Sequence, residues 1–322
     1  MNRFEVVKPS TLAQAKDLVQ EKAWSQYKAG GIDVIDHLKE HLEEPPRLVD
    51  LKSIPGLAEV RVEADGSLRI GALVKLADVA ADERVMKTHA ALAIAAGETA
   101  SPQVRNVATI GGSVLQRPRC WYYRLEEYKC LKKGGEVCFA VGGENRYHVI
   151  FGGGPSYAVH PSNTAVALVA LGASFMLDGP KGVRAIAASE FFQLPAKNPQ
   201  TENVIQVGEI LTEIRVPASM GKSVYDEVRE RQAFDWPLVS MAAAVRVDAG
   251  VVRDARVVLG AVAPIPWRSN RAEAALMGKP LNEATLQDAA RAAIVGAAPL
   301  SDNGYKVGLV QTLVRRTLAK LA

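Results

Sequence analysis

"ATIGGSVLQRPRCWYYR", residues 108–124, is the stretch that decides how the rest of the chain is read. Thr109-Ile110-Gly111-Gly112, followed by Ser113, reads as a glycine turn flanked by hydroxyls that can bond phosphate or ribityl oxygens. It runs straight into Cys120, set among aromatics and arginines, and Cys130 and Cys138 follow as the last cysteines in the chain. Working outward, "AGGIDV" (Ala29, Gly30, Gly31, Ile32, Asp33, Val34) is a second glycine pair, with Lys28 beside it. Adjacent glycines permit backbone shapes closed to other residues and let successive amide N–H groups face one anion. Either pair alone is a plain strand–helix turn as readily as a ligand site. Together, in one αβ region, they suit an extended ligand with a pyrophosphate clamped between them. The third glycine of G-x-G-x-x-G is absent, so neither is the dinucleotide fingerprint.

Composition narrows the class. The 322 residues allow two or three domains, and an apolar content of 48% with 23% charged is that of a globular chain with a real core. The net charge of +4 is small for this length and its lysines and arginines are interleaved with acids, which excludes the clustered basic face of a nucleic-acid binder. No apolar run reaches the roughly 18 residues of a membrane span. The start, "MNRFEVVKPSTLAQAKDLV", lacks the features of a signal peptide, so a cytoplasmic protein is expected, or a periplasmic one exported alongside a partner.

The pattern along the chain predicts an α+β protein with segregated hairpins and helices. Ser10 is expected to cap a helix over 10–23. "YKAGGIDVIDHLKE" predicts strand end, glycine turn and helix start, and "PRLVDLKSIP" ends this first unit near residue 55. Alternation about Asp65-Gly66 predicts a hairpin. An Ala-rich helix, "HAALAIAAGETA", precedes the Thr-Ile-Gly-Gly turn; residues 117–150 form a loop-rich cysteine insertion. Ser162 or Asn163 in "HPSN" caps a helix, "TAVALVALGA"; a strand and turn at Asp178-Gly179-Pro180 and a strand "EILTEIRVP" follow. With a boundary near 218–223, the expected domains are 1–220, divided at residue 55, and 221–322. The second holds two strands about Ala249-Gly250 and then helices.

No G-x-S-x-G elbow, Walker lysine or H-E-x-x-H is present, and His37, His41, His89 and His148 show no metal-ligand spacing. The cysteines differ. Their segment, "CWYYRLEEYKCLKKGGEVCFAVGGENRYH", is polar and Gly-rich, and such a loop offers little core in which to bury a thiol. Three buried thiols acting as small hydrophobes remain one reading, and a metal or iron–sulfur role is the other.

"KAGGIDVI", "VRNVATIGGSV", "HPSNTAVALVALGAS", "GEILTEIRVP" and "RQAFDWPLVSMAAAV…VVLGAVAPIPWRS" resemble, in order and over almost the whole chain, the FAD-binding medium subunit of molybdenum hydroxylases. That family covers xanthine, carbon monoxide and aldehyde dehydrogenases. The resemblance implies a two-subdomain FAD-binding fold of the vanillyl-alcohol-oxidase type and a smaller C-terminal α+β domain. It implies partners too: a large subunit with the molybdenum cofactor and a small 2Fe–2S subunit in a heterotrimer, passing electrons to FAD and on to an external acceptor. No residue of this chain then acts as nucleophile or general acid. By the same resemblance the backbone from Ala29 to Val34, with Lys28 beside it, cradles the FAD pyrophosphate. Thr109, Gly112 and Ser113 lie along the phosphates and ribityl chain, Asn163 adds a polar contact, and Leu211 lies near the isoalloxazine ring.

One branch of the family, as in aldehyde oxidoreductase and 4-hydroxybenzoyl-CoA reductase, carries a 4Fe–4S loop just after the Thr-Ile-Gly-Gly turn. Cys120, Cys130 and Cys138 look like that insertion. This sequence departs from the pattern twice. Ser156 stands where the branch has its fourth cysteine, a harder and more basic donor to iron. Asn163 stands where the family usually has aspartate; it keeps one acceptor and gains donors. A cofactor-poor assembly subunit and a stand-alone FAD oxidase are the competing readings.

Overall fold

Strand Arg47–Asp50 is the centre of a small sheet, with Glu5–Val7 and Gln26–Lys28 parallel to it on either side. The computed structural model describes residues 1–322. The crossover helix, Leu12–Glu21, is capped by Thr11, whose hydroxyl accepts the Gln14 N–H at 3.1 Å. Ser10, the expected cap, lies one residue too early and bonds the Gln14 side chain instead. The second crossover carries the Gly30-Gly31 turn into helix Ile32–Lys39. Ala15, Val49, Leu51 and Ile54 form the core of this unit and meet Leu73 and Ile210 from the next.

The middle of the chain is a five-stranded antiparallel sheet in the order Val60–Val62, Leu68–Gly71, Ile210–Val216, Ser174–Gly179, Gly182–Ala187. The first hairpin turns at Asp65-Gly66, where Gly66 has φ +83° and Asp65 accepts the Ser67 N–H at 2.9 Å. Helices Ala90–Glu98 and Asn163–Ala170 close the largest core of the molecule. All eight residues of Asn163–Ala170 are buried, as a helix apolar on every side must be.

Thr-Ile-Gly-Gly is not a turn. Helix Ile110–Leu115 begins there, and Thr109 caps it by accepting the Gly112 N–H at 3.1 Å. A threonine in extended conformation three residues ahead of a free amide is a strong helix start, and it overrides the punctuation that two glycines suggest.

The C-terminal sheet is antiparallel, ordered Trp267–Arg268, Val251–Gly260, Pro237–Asp248, Lys222–Arg229. Helices Asn270–Leu276, Glu283–Ala293 and Tyr305–Ala319 cover one face. Along the long strand Pro237–Asp248, alternation sends Met241, Ala243 and Val245 under these helices. Ala242 and Ala244 go instead into the core of the middle region. Strand Lys222–Arg229 is an addition to the expected elements. No helix is long and apolar enough to cross a membrane.

Candidate functional site

The Gly30-Gly31 turn leaves five consecutive amides, those of Gly30, Gly31, Ile32, Asp33 and Val34, without an acceptor; the first bond of the helix is Ile35 N–H to Gly31 O at 3.0 Å. Gly31 is the N-cap in left-handed conformation, φ +91°, and has no side chain with which to fill the gap. The row is half-buried to exposed, so a ligand can reach it. It carries the positive end of the helix dipole and suits an anion. Lys28 at its edge is paired with the buried Asp50 at 3.0 Å.

The second glycine segment lies directly against the first: a Cβ on Gly30 would stand 2.2 Å from the Val107 carbonyl oxygen and 3.2 Å from Ala108 Cα. Its amides are already taken. Ile110 N–H bonds Val74 O, Gly111 N–H bonds Ala72 O, and Gly112 and Ser113 N–H bond the Thr109 hydroxyl and carbonyl. The two segments are therefore neighbours but not equivalents, and the row of free donors belongs to Gly30–Val34 alone.

The "HPSN" stretch, residues 160–163, meets the 109–113 segment through hydroxyls, together with Thr164. Ser113 Oγ lies 3.0 Å from Ser162 Oγ and accepts from Thr164 Oγ1 at 2.9 Å, and all three residues are buried. Ser162 caps the helix by accepting the Ala165 N–H. Asn163 donates from its amide to Glu227 at 2.9 Å, which leaves its carbonyl as the free polar atom. Leu211 is buried in the middle core opposite Leu177. A separate surface depression lies beside Arg69 and Arg215, and both of these arginines are bonded to Glu213.

The cysteine segment closes over the other side of helix Ile32–Lys39. Asp33 Oδ2 accepts the Arg117 backbone N–H at 2.8 Å. Its Oδ1 receives Arg124 at 2.7 Å and Arg119 at 2.9 Å, and the same two guanidiniums reach Asp36 Oδ2 at 2.8 and 3.1 Å. Burial pushes the Asp33 carboxyl up, but Arg124, Arg119 and the Arg117 N–H outweigh it and hold it below its usual value. Asp36, Arg117, Arg119 and Arg124 were not legible as site residues, because pairing across so long a chain separation leaves no local pattern.

Beneath this ion cluster, Cys120, Cys130, Cys138 and Ser156 line one narrow pocket with Tyr122, Tyr123 and Phe139. The expectation that the loop has no core is wrong. Tyr122, Tyr123, Cys130 and Ala140 form an aromatic core, with Trp121, Tyr128 and Phe139 packed on it. Aromatic side chains each bury a large area, so a few of them suffice where aliphatic residues are scarce. The three thiols are unpaired, and burial drives that of Cys120 up to about 12. No group of three or more His, Cys, Asp or Glu side chains gathers as ligands of a metal ion. One histidine does join: His148 Nε2 lies 3.2 Å from Cys120 Sγ, and burial, with the Lys306 charge, lowers its pKa to about 4. The spacing of Cys120 and His148 gave no sign of this contact.

Residues 2–219 match the FAD binding domain in molybdopterin dehydrogenase, and residues 223–321 match the CO dehydrogenase flavoprotein C-terminal domain. The chain is 35% identical over 326 residues to the aldehyde oxidoreductase FAD-binding subunit PaoB of Escherichia coli K12, covering 100% of this chain and 98% of that one. It is 29% identical to the carbon monoxide dehydrogenase medium chain of Hydrogenophaga pseudoflava, over 98% of this chain and 96% of that one. A solved structure of carbon monoxide dehydrogenase from Hydrogenophaga pseudoflava superposes with a TM-score of 0.79 at 28% identity, over 99% of this chain and 97% of that one. With both halves of the sequence matched in order and the fold shared end to end, the chain belongs to the family of FAD-binding medium subunits of molybdenum hydroxylases.

Proposed function

We propose that this chain is the FAD-carrying electron-transfer subunit of a molybdenum hydroxylase, working in a heterotrimer with a molybdenum-cofactor large subunit and a 2Fe–2S small subunit. The observation that carries the reading is the row of unpaired amides from Gly30 to Val34, beside the 107–113 segment, in a chain of this family. FAD supplies the redox chemistry when bound, and the protein supplies its placement. The Gly30–Val34 amides hold the pyrophosphate oxygens, and Lys28 shapes the edge of that cradle. Gly112 presents a bare backbone surface, Thr109 and Ser113 hold the helix that carries it, and Asn163 offers its carbonyl to the nucleotide. Leu211 backs the ring side from the core.

The same reading extends to a 4Fe–4S cluster held by Cys120, Cys130 and Cys138, with Ser156 or an outside ligand on the fourth iron. Its support is that the three thiols and the Ser156 hydroxyl line one pocket, with the cysteines in the order the resemblance implies.

Non-covalent FAD is the direct test. Acid precipitation of the purified chain should leave yellow FAD in the supernatant. Gly31→Val should give colourless protein, because a β-branched residue at φ +91° costs about 1–3 kcal/mol and closes the cradle. A folded wild-type chain that neither carries FAD nor can be loaded with it overturns the reading.

A further inference from the structure

A carboxylate in the first turn of a helix ordinarily caps the free amides there, and it repels any anionic ligand that competes for them. Asp33 occupies that place, and Asp36 stands one turn on, three residues away, where two like charges oppose each other. Both carboxylates are engaged away from the amide row. Arg124, 11% exposed, and Arg119, 25% exposed, each bridge the pair, and the Arg117 N–H holds the second Asp33 oxygen. Arg124 also donates to the carbonyls of Arg117 and Pro118, so the same side chain orders the strap that carries Arg119.

Two cations beside the row are already engaged, Lys28 by Asp50 and the Arg117 guanidinium by Glu202 and Glu43. Two acids and two guanidiniums leave this face neutral. Loss of either arginine leaves one negative charge uncompensated beside amides that must receive an anion.

We propose that Arg119 and Arg124 are positioning residues of the flavin site: by holding and neutralising Asp33 and Asp36, they keep the Gly30–Val34 amides open to the anionic part of the ligand. This rests on the FAD reading above. It gives the 117–124 strap a task at the flavin whatever the cysteine cavity holds.

The test is FAD titration of the deflavinated full chain, with folding followed by circular dichroism. Arg124→Gln should weaken FAD binding by about tenfold, the scale of one uncompensated charge near an anion at a partly buried site. Asp36→Asn, outside the amide row, should alone keep wild-type affinity or improve it. The double variant Asp36→Asn/Arg124→Gln should recover most of what Arg124→Gln loses. A purely structural ion pair predicts the opposite, with Asp36→Asn also weakening binding and the double variant no better than Arg124→Gln. Either of those results overturns the proposal, as does wild-type affinity in Arg124→Gln. Should Arg124→Gln fail to fold, Asp36→Asn decides, a tenfold loss being the adverse result. A wild-type chain that binds no FAD removes the flavin reading itself and shows in the first titration.

Discussion

Within each glycine pair the two residues have different work. A Cβ on Gly30 would collide with the Val107 carbonyl, and one on Gly111 would come within 2.8 Å of Ala72. These first glycines let backbone lie on backbone. Gly31 supplies the left-handed cap, and Gly112 meets nothing closer than the Thr109 hydroxyl at 3.1 Å. Gly30→Ala should therefore destabilise the protein by about 1–3 kcal/mol, the cost of overpacking a fixed contact. Gly142→Ala, where nothing lies within 4 Å, should change little. Thermal unfolding of the two variants checks this, and equal melting temperatures would show that the Gly30 contact is soft. The glycine pairs themselves were legible from sequence. Which glycine packs and which faces a ligand was not, because the answer lies in the carbonyls of Val107 and Ala72, in other parts of the chain.

Among the elements, hairpins at Asp65-Gly66 and Ala249-Gly250 followed from alternation and turn chemistry, since both signals are local. Strand Lys222–Arg229, "KSVYDEVR", escaped notice because charged residues break its pattern. Glu227 and Arg229 are tolerated there because Arg229 pairs with both Glu227 and Glu98. The cysteine segment misled in another way: its composition counts as polar, yet Tyr122, Tyr123, Tyr128 and Phe139 supply a core from few residues. That core gives the loop a reason to be ordered with or without iron, so the elemental composition has to decide. Iron and sulfide assayed on anaerobically purified chain should give about four irons per flavin if Ser156 or an outside ligand completes the cluster. About three would mean that the fourth iron is lost at the Ser156 position, and none would end the cluster reading.

For the whole molecule, the candidate flavin site is made of backbone amides, caps and neutralised charges. Expressed alone, the chain should fail to couple oxidation of an aldehyde or purine to dye reduction, and adding the large and small subunits should restore it. A steady-state dye assay reads this directly, and robust turnover by the isolated chain would reject a partner-dependent role. The two matched segments, 2–219 and 223–321, meet in a shared interior, because Tyr225, Ala242, Ala244 and Val258 lie in the core of the first. The Asn163 amide is likewise anchored on Glu227 of the second. The join near residue 220 thus divides two matched domains without dividing the core they share. A chain cut there would bare apolar surface on both pieces, and the damage would reach the proposed flavin site through a residue that never touches the cut.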